Sequence, residues 1–184
     1  FRRPVAVVFD GEHQSDFGGL PLLAAVDRRI GLTQALCGVI DDPRQEAKVE
    51  HSVLDLVRQR VYGIALGLCD LNDAARLRDD PAVRLSLGRA IEGEQGALAS
   101  APSLCRFENR ATRHDLLQMS HVLLDRVLDV ERRRRHGDAT RITIDLDPSE
   151  DPTYGQQEFT FFNGHYDTWC YLPMFAYVTF HDAG

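Results

Sequence analysis

Arg141-Ile142-Thr143-Ile144-Asp145-Leu146-Asp147-Pro148-Ser149 is the stretch on which the fold turns. Apolar and polar residues alternate from 142 to 147, the period of a strand with two unlike faces. Upstream of it the apolar residues recur at three- and four-residue steps instead, the period of helices. The chain therefore reads as α+β: a mainly helical region over residues 1–140, then a sheet that opens at 141 and occupies 141–184. Asp145 and Asp147 stand two apart and so share one side of the strand. Strands disfavour Asp, and a carboxylate is costly to bury. Two of them on one face make a plausible seat for a divalent cation. The competing reading is a solvent-facing strand whose acids are incidental.

Working outward, residues 5–9 form a short β-branched and aromatic run and read as a strand. Gly18-Gly19 interrupts it, and helical spacing follows over 20–30, closed by Gly31. A second helix is expected over 33–40. The longest pattern covers 49–68, where Val49, Val53, Leu56, Val57, Val61, Ile64 and Leu68 line one face, with Ser52 and Asp55 on the solvated side. Shorter helices are expected over 71–77 and 82–90, with Asp80-Pro81 as a helix start, and Gly93 and Gly96 mark a loop. Ser103 is the expected cap of a short helix over 104–109. A long amphipathic helix over 115–130 turns Leu116, Leu117, Met119, Val122, Leu123, Val127 and Leu128 inward, and the Arg132-Arg133-Arg134-Arg135 run and His136-Gly137-Asp138 end it. Beyond the first strand, 148–155 reads as a turn-rich loop, 158–162 as a possible strand and 171–180 as a further strand carrying Pro173 near its start.

The formal net charge of −7 hides a gradient. Residues 1–99 hold 12 basic and 15 acidic side chains, residues 100–141 hold nine Arg and six acids, and residues 142–184 hold seven acids and no Lys or Arg. A basic middle suits phosphates and an acidic end suits divalent cations. Arg outnumbers Lys 20 to 1, a bias that a GC-rich genome explains as readily as phosphate recognition does. No run of 18 apolar residues spans a membrane, and no secretory signal is visible at Phe1-Arg2-Arg3-Pro4. Cys37, Cys69, Cys105 and Cys170 are too scattered for zinc spacing and read as reduced thiols of a cytoplasmic protein.

The acidic strand is followed by segments dense in aromatics, amides and His: Gly155-Gln156-Gln157-Glu158, Phe161-Phe162-Asn163-Gly164-His165-Tyr166-Asp167 and Cys170-Tyr171-Leu172-Pro173. Such a hairpin either lines a polar cleft or merely packs its rings. Taken with Asp145-Leu146-Asp147-Pro148-Ser149, these segments resemble the first catalytic strand and following hairpin of a bacterial insertion-sequence DDE transposase. Upstream stretches extend the likeness, in order, over nearly the whole chain: Gly18-Gly19-Leu20, Asp42-Pro43-Arg44, residues 60–67, Asp70-Leu71-Asn72-Asp73, residues 77–81 and residues 98–109.

The resemblance implies that the sheet at 141–184 is the start of an RNase H-like domain, incomplete here, so that the chain is the N-terminal half of the enzyme. In that family two Asp and one Glu hold two Mg²⁺ (or Mn²⁺) ions that activate water or a 3′-OH against a DNA phosphodiester. The first Asp precedes a small residue and then Thr, so Asp147, before Pro148-Ser149, is the better match and the expected metal ligand, with Asp145 as the fallback. The second Asp and the Glu are expected further on than Gly184, so this polypeptide is expected not to cleave DNA alone. Residues 1–140 then read as the region that binds the terminal inverted repeats of double-stranded DNA. The segment 100–109 reads as a recognition helix placing Arg106, Asn109 and Arg110 on one face; Arg113, Arg132 and Arg133 are further candidate contacts. The alternative for each is an ordinary solvated Arg. A homodimer is implied, because two DNA ends must be brought together, with a cytoplasmic, nucleoid-associated location.

Two rival functions remain at this point. One is a non-enzymatic DNA-binding regulator, a transposase relic that occupies the element's ends. The other is an aspartyl-nucleophile phosphatase of the haloacid-dehalogenase type, with Asp145 as nucleophile and Asp147 as acid/base. Only 37 residues follow Asp147 and no Lys follows Lys48, both of which count against the phosphatase.

Overall fold

The structure, a computed structural model, describes residues 14–91, 97–135, 137 and 139–181. The expected strand at 5–9 and the Gly93/Gly96 loop lie outside the described residues. The chain divides into two compact units at Arg132/Arg133, in the last turn of a long helix. Helices come first and small antiparallel sheets follow, an α+β arrangement.

The first unit holds seven α-helices among the described residues, with short 3-10 turns at Glu46–Lys48 and Leu71–Asp73: α1 Leu20–Ile30, α2 Leu32–Cys37, α3 Val53–Ala65, α4 Ala74–Leu77, α5 Pro81–Ser86, α6 Ala101–Glu108 and α7 Arg113–Arg134. Gly31, at φ +70°, ends α1 by donating its N–H to the Asp27 carbonyl, and the same residue starts α2. α3 is the organising element, since its apolar face meets three clusters. Tyr62 packs with Leu20, Ala24, Leu77 and Val83; Leu56 packs with Ala74, Ala99 and Leu104; Val53 and Val57 pack with Leu36.

Several helix ends differ from the sequence expectation, each for a local reason. α3 starts at Val53 rather than 49, because Ser52 and Asp55 form a capping box: the Asp55 N–H donates to Ser52 Oγ and the Ser52 N–H to the Asp55 carboxylate. Those two residues, expected on a solvated helical face, set its boundary. α2 stops at Cys37, before Gly38, and α5 stops at Ser86, two residues before Gly88 at φ +75°. The Asp80 carboxylate caps α5 by accepting from the Ala82 and Val83 amides, with Pro81 in the first turn. α6 begins at Ala101 with Pro102 in its first turn, so Ser100 is the N-cap residue and Ser103 lies inside the helix. α7 begins two residues earlier than expected, where Thr112 and Asp115 exchange the same pair of capping bonds. Only part of its expected inward face is covered. Met119 and Val122 pack against the Leu36, Val53 and Val57 cluster, whereas Leu116, Leu117, Leu123 and Val127 are all more than half exposed. α7 is 22 residues long, and of its apolar residues Met119 and Val122 are the ones packed against that cluster.

The second unit is built of β1 Arg141–Pro148, β2 Asp151–Pro152, β3 Phe161–Asn163, β4 Thr168–Tyr171 and β5 Met174–His181. β1 and β5 form an antiparallel ribbon, and β2-β4-β3 forms a separate three-stranded sheet. The expected strand over 171–180 is divided: Tyr171 closes β4 and Met174 opens β5. Pro173 has no N–H to offer a ladder, while its carbonyl accepts from the Ser149 amide. The β3–β4 turn carries Asp167 at φ +53°, and Asn163 Oδ1 takes the His165 amide. Cys170 is fully buried at the centre of this sheet. No helix among the described residues is long and apolar enough to cross a membrane.

Candidate functional site

The acidic strand has the sidedness that its alternation requires. In the β1–β5 register Asp145 lies opposite Tyr177 and Asp147 opposite Phe175, so the two carboxylates share a face with Arg141, Thr143, Thr179 and His181. The other face is apolar throughout: Ile142, Ile144, Leu146 and Pro148 stand across from Phe180, Val178, Ala176 and Met174. On the acidic face Thr143 Oγ1 lies 3.0 Å from His181 Nε2, which orients the imidazole at the far end from Asp147. Asp145 and Asp147 are both exposed. Their backbone positions are about 7 Å apart along the strand, close enough for their side chains to converge on one cation. Among the described residues, however, no group of three or more His, Cys, Asp or Glu side chains comes together as a metal site. The strand presents two carboxylates, and no third joins them among the described residues.

The candidate DNA-contacting residues of the first unit are held by α6 and the turn after it. α6 is fixed from below by Leu104, which is 1% exposed, and by the ion pair of Glu108 with Arg60 of α3. Arg106 is exposed on α6 and donates to Ser103 Oγ. The helix ends at Glu108, with Asn109 as its C-cap residue, so helical spacing does not by itself align Arg106, Asn109 and Arg110. The Asn109 amide turns back to Cys105 Sγ. Arg110 lies over the Phe107 ring, 5.9 Å from its centroid, and reaches to 3.5 Å from Asp42. The tertiary fold thus draws Arg110 back beside Arg106, while Asn109 points elsewhere. Arg113 is exposed at the start of α7. Arg132 and Arg133 are exposed in its last turn, Arg132 lying 3.9 Å from Asp129.

His51 stands beside Arg106 and Arg110 on the same side of the unit. It is a residue that no sequence pattern singled out. Burial holds its pKa below the ordinary 6.5, against a smaller opposing pull from Glu50. The folded state therefore keeps His51 neutral where the unfolded chain already takes up a proton. Stability should be full above about pH 6.5 and fall as the pH drops below it. Urea denaturation at pH 8 and pH 5.5 should show this loss, and His51→Gln should make the slope over that interval shallower. An unchanged slope in the variant would assign the loss to other groups.

Comparison with protein families places the chain. The family described as Transposase DDE domain group 1 matches residues 1–183. The chain belongs to this transposase family. The match runs through both units, so the helical region and the acidic strand are parts of one transposase sequence and not a chance junction. Comparison with curated proteins and with solved structures returned no match. The matched residues include the acidic strand β1 with Asp145 and Asp147.

Proposed function

We propose that the protein takes part in cut-and-paste DNA transposition, its first unit binding the terminal inverted repeats of an insertion sequence and its second forming the opening strands of an RNase H-like catalytic domain. In this reading Asp147 is the first carboxylate of a divalent-metal centre that takes Mg²⁺ or Mn²⁺, with Asp145 beside it. Bound metal in such a centre activates water or a 3′-OH toward a phosphodiester. Membership of the transposase family supports DNA as the substrate. The observation that carries the reading is the placement of both carboxylates on one face of a strand held along its whole length by β5. A paired strand fixes the direction of its side chains far better than a loop does, as a site that must meet a phosphodiester requires.

Two carboxylates of one strand do not cage two metal ions, so these residues do not by themselves fit the complete centre. Cleavage is therefore proposed to need ligands beyond those that the described residues bring together. The same observation favours a second reading, in which this polypeptide occupies the element's ends and regulates transposition without cutting. In either case two ends must be held at once, which suits a homodimer. The expected result is a gel shift in which terminal-repeat duplexes compete better than random duplexes, with no nicking by the 184-residue chain in Mg²⁺ or Mn²⁺. Equal binding to every duplex would remove the end-recognition reading. Nicking that persists in Asp147→Asn would remove Asp147 from the centre.

A further inference from the structure

The cations nearest α6 do not stand alone. A cleft of about 450 Å³ separates the α6 end from the segment before α3, and Arg44 and Lys48 line one wall while Arg106 and Arg110 line the other. Phe107 lies between them, and Glu50 is the single carboxylate among the lining residues, its side chain 86% exposed. Asp42, an acid outside the lining residues, is already engaged: Arg44 holds both of its oxygens, at 2.7 Å each. Arg110 reaches the same carboxylate only at 3.5 Å, and its Nη2 is buried with no hydrogen-bond partner. His51 contributes no charge at neutral pH, because burial favours its neutral form.

We infer that this cleft is a binding site for the phosphodiester backbone of duplex DNA, gripped between Arg44 and Lys48 on one side and Arg106 and Arg110 on the other. The inference rests on the DNA-binding reading above and deepens it by naming the wall that spacing along α6 does not contain. With Arg44 paired to Asp42, Lys48, Arg106 and Arg110 stand against Glu50 alone among the lining residues, an excess of positive charge in a chain whose net charge is −7. The Arg106 and Arg110 guanidinium forks suit paired phosphate oxygens, Arg44 is held in place by Asp42, and Lys48, exposed at the rim, supplies a point charge. Contacts of this kind set position and affinity and are blind to sequence.

The test is fluorescence anisotropy of a short labelled duplex against the full chain at several salt concentrations, with Lys48→Glu, Arg106→Glu and a control, Arg29→Glu, on α1 away from the cleft. Circular dichroism checks that each variant is folded. Each cleft variant should bind about tenfold more weakly to terminal-repeat and random duplexes alike, with a salt slope lower by roughly one. The control should stay within about twofold of the unaltered protein. Cleft variants that bind as the control does would overturn the proposal. A second measurement separates the cleft from the DNA reading: sodium pyrophosphate should shift the Arg110 Nε–H resonance of the unaltered protein. A shift without any duplex affinity keeps the anion cleft and brings down the DNA reading. No shift and no duplex affinity would overturn both.

Discussion

Asp27→Ala is expected to cost the helical unit about 3–5 kcal/mol, the range for removing one partner of a buried charged network. Asp27 is 6% exposed on α1, and four groups converge on or near its carboxylate. Thr33 donates its amide to Oδ1 at 2.9 Å and its hydroxyl to Oδ2 at 2.5 Å. The Tyr62 hydroxyl donates to Oδ2 at 2.9 Å from α3, and Arg58 Nε stands 3.7 Å away. Alanine strands these donors in a site closed to water, so the loss exceeds that of the hydrogen bonds alone. Urea denaturation followed by circular dichroism at 222 nm measures it, and a loss under about 1 kcal/mol would mean that the site relaxes or admits water. The network also leaves an alkaline signature. Burial first, and then the Asp27 carboxylate, push the Tyr62 phenol up to about 12. The unfolded chain loses that proton near pH 10, so stability is complete below pH 10 and falls between 10 and about 12. Tyr62→Phe should weaken that alkaline decline.

The second large effect is expected at Gln59. Its side chain, 2% exposed in α3, pairs in both directions with Ala99: Nε2 donates to the Ala99 carbonyl at 2.9 Å and Oε1 accepts the Ala99 amide at 3.0 Å. Ala99 immediately precedes Ser100, the N-cap residue of α6, so this amide fixes the chain where it enters the helix that bears Arg106. Gln59→Leu keeps the volume but leaves a buried N–H and a buried carbonyl unpaired, at about 1–3 kcal/mol each, and the unit should lose roughly 2–6 kcal/mol in all. Amide hydrogen exchange gives the local check. The Ala99 N–H, protected in the unaltered protein, should exchange faster in the variant. Unchanged protection would show that another acceptor replaces the glutamine. Because α6 forms one wall of the basic cleft, duplex affinity should fall as well, although Gln59 does not line the cleft.

Neither Asp27 nor Gln59 attracted notice in the sequence, and the reason is common to both. Asp27 stands at a position that helical periodicity reserves for apolar side chains and Gln59 stands off the apolar face that the 53–64 spacing marks, and the value of each depends on partners that spacing along its own helix does not contain. Thr33 and Tyr62 lie 6 and 35 residues from Asp27, and Ala99 lies 40 from Gln59. Periodicity registers which face is buried and not what satisfies a polar group there. The long α7 shows the converse. Its apolar pattern implied a covered face, yet the packing partners reach only Met119 and Val122 of it, because amphipathicity records a tendency to pack and not the length of the surface available.

The sequence by itself determined the order of helices before strands, the bounds of α1, the existence of β1 and the common face of Asp145 and Asp147. These follow from 3.6- and 2-residue periods and from stop signals such as Gly31, all of which act over a few neighbours. Tertiary structure alone decided the rest: that β5 runs antiparallel along β1, that Asp27 is enclosed by Thr33 and Tyr62, and that Arg44 and Lys48 face Arg106 and Arg110 across one cleft. Apart from Thr33 with Asp27, those pairings join residues tens of positions apart. Within the helical unit their geometry depends on how the helices pack around α3, a balance of many burials that no local spacing encodes.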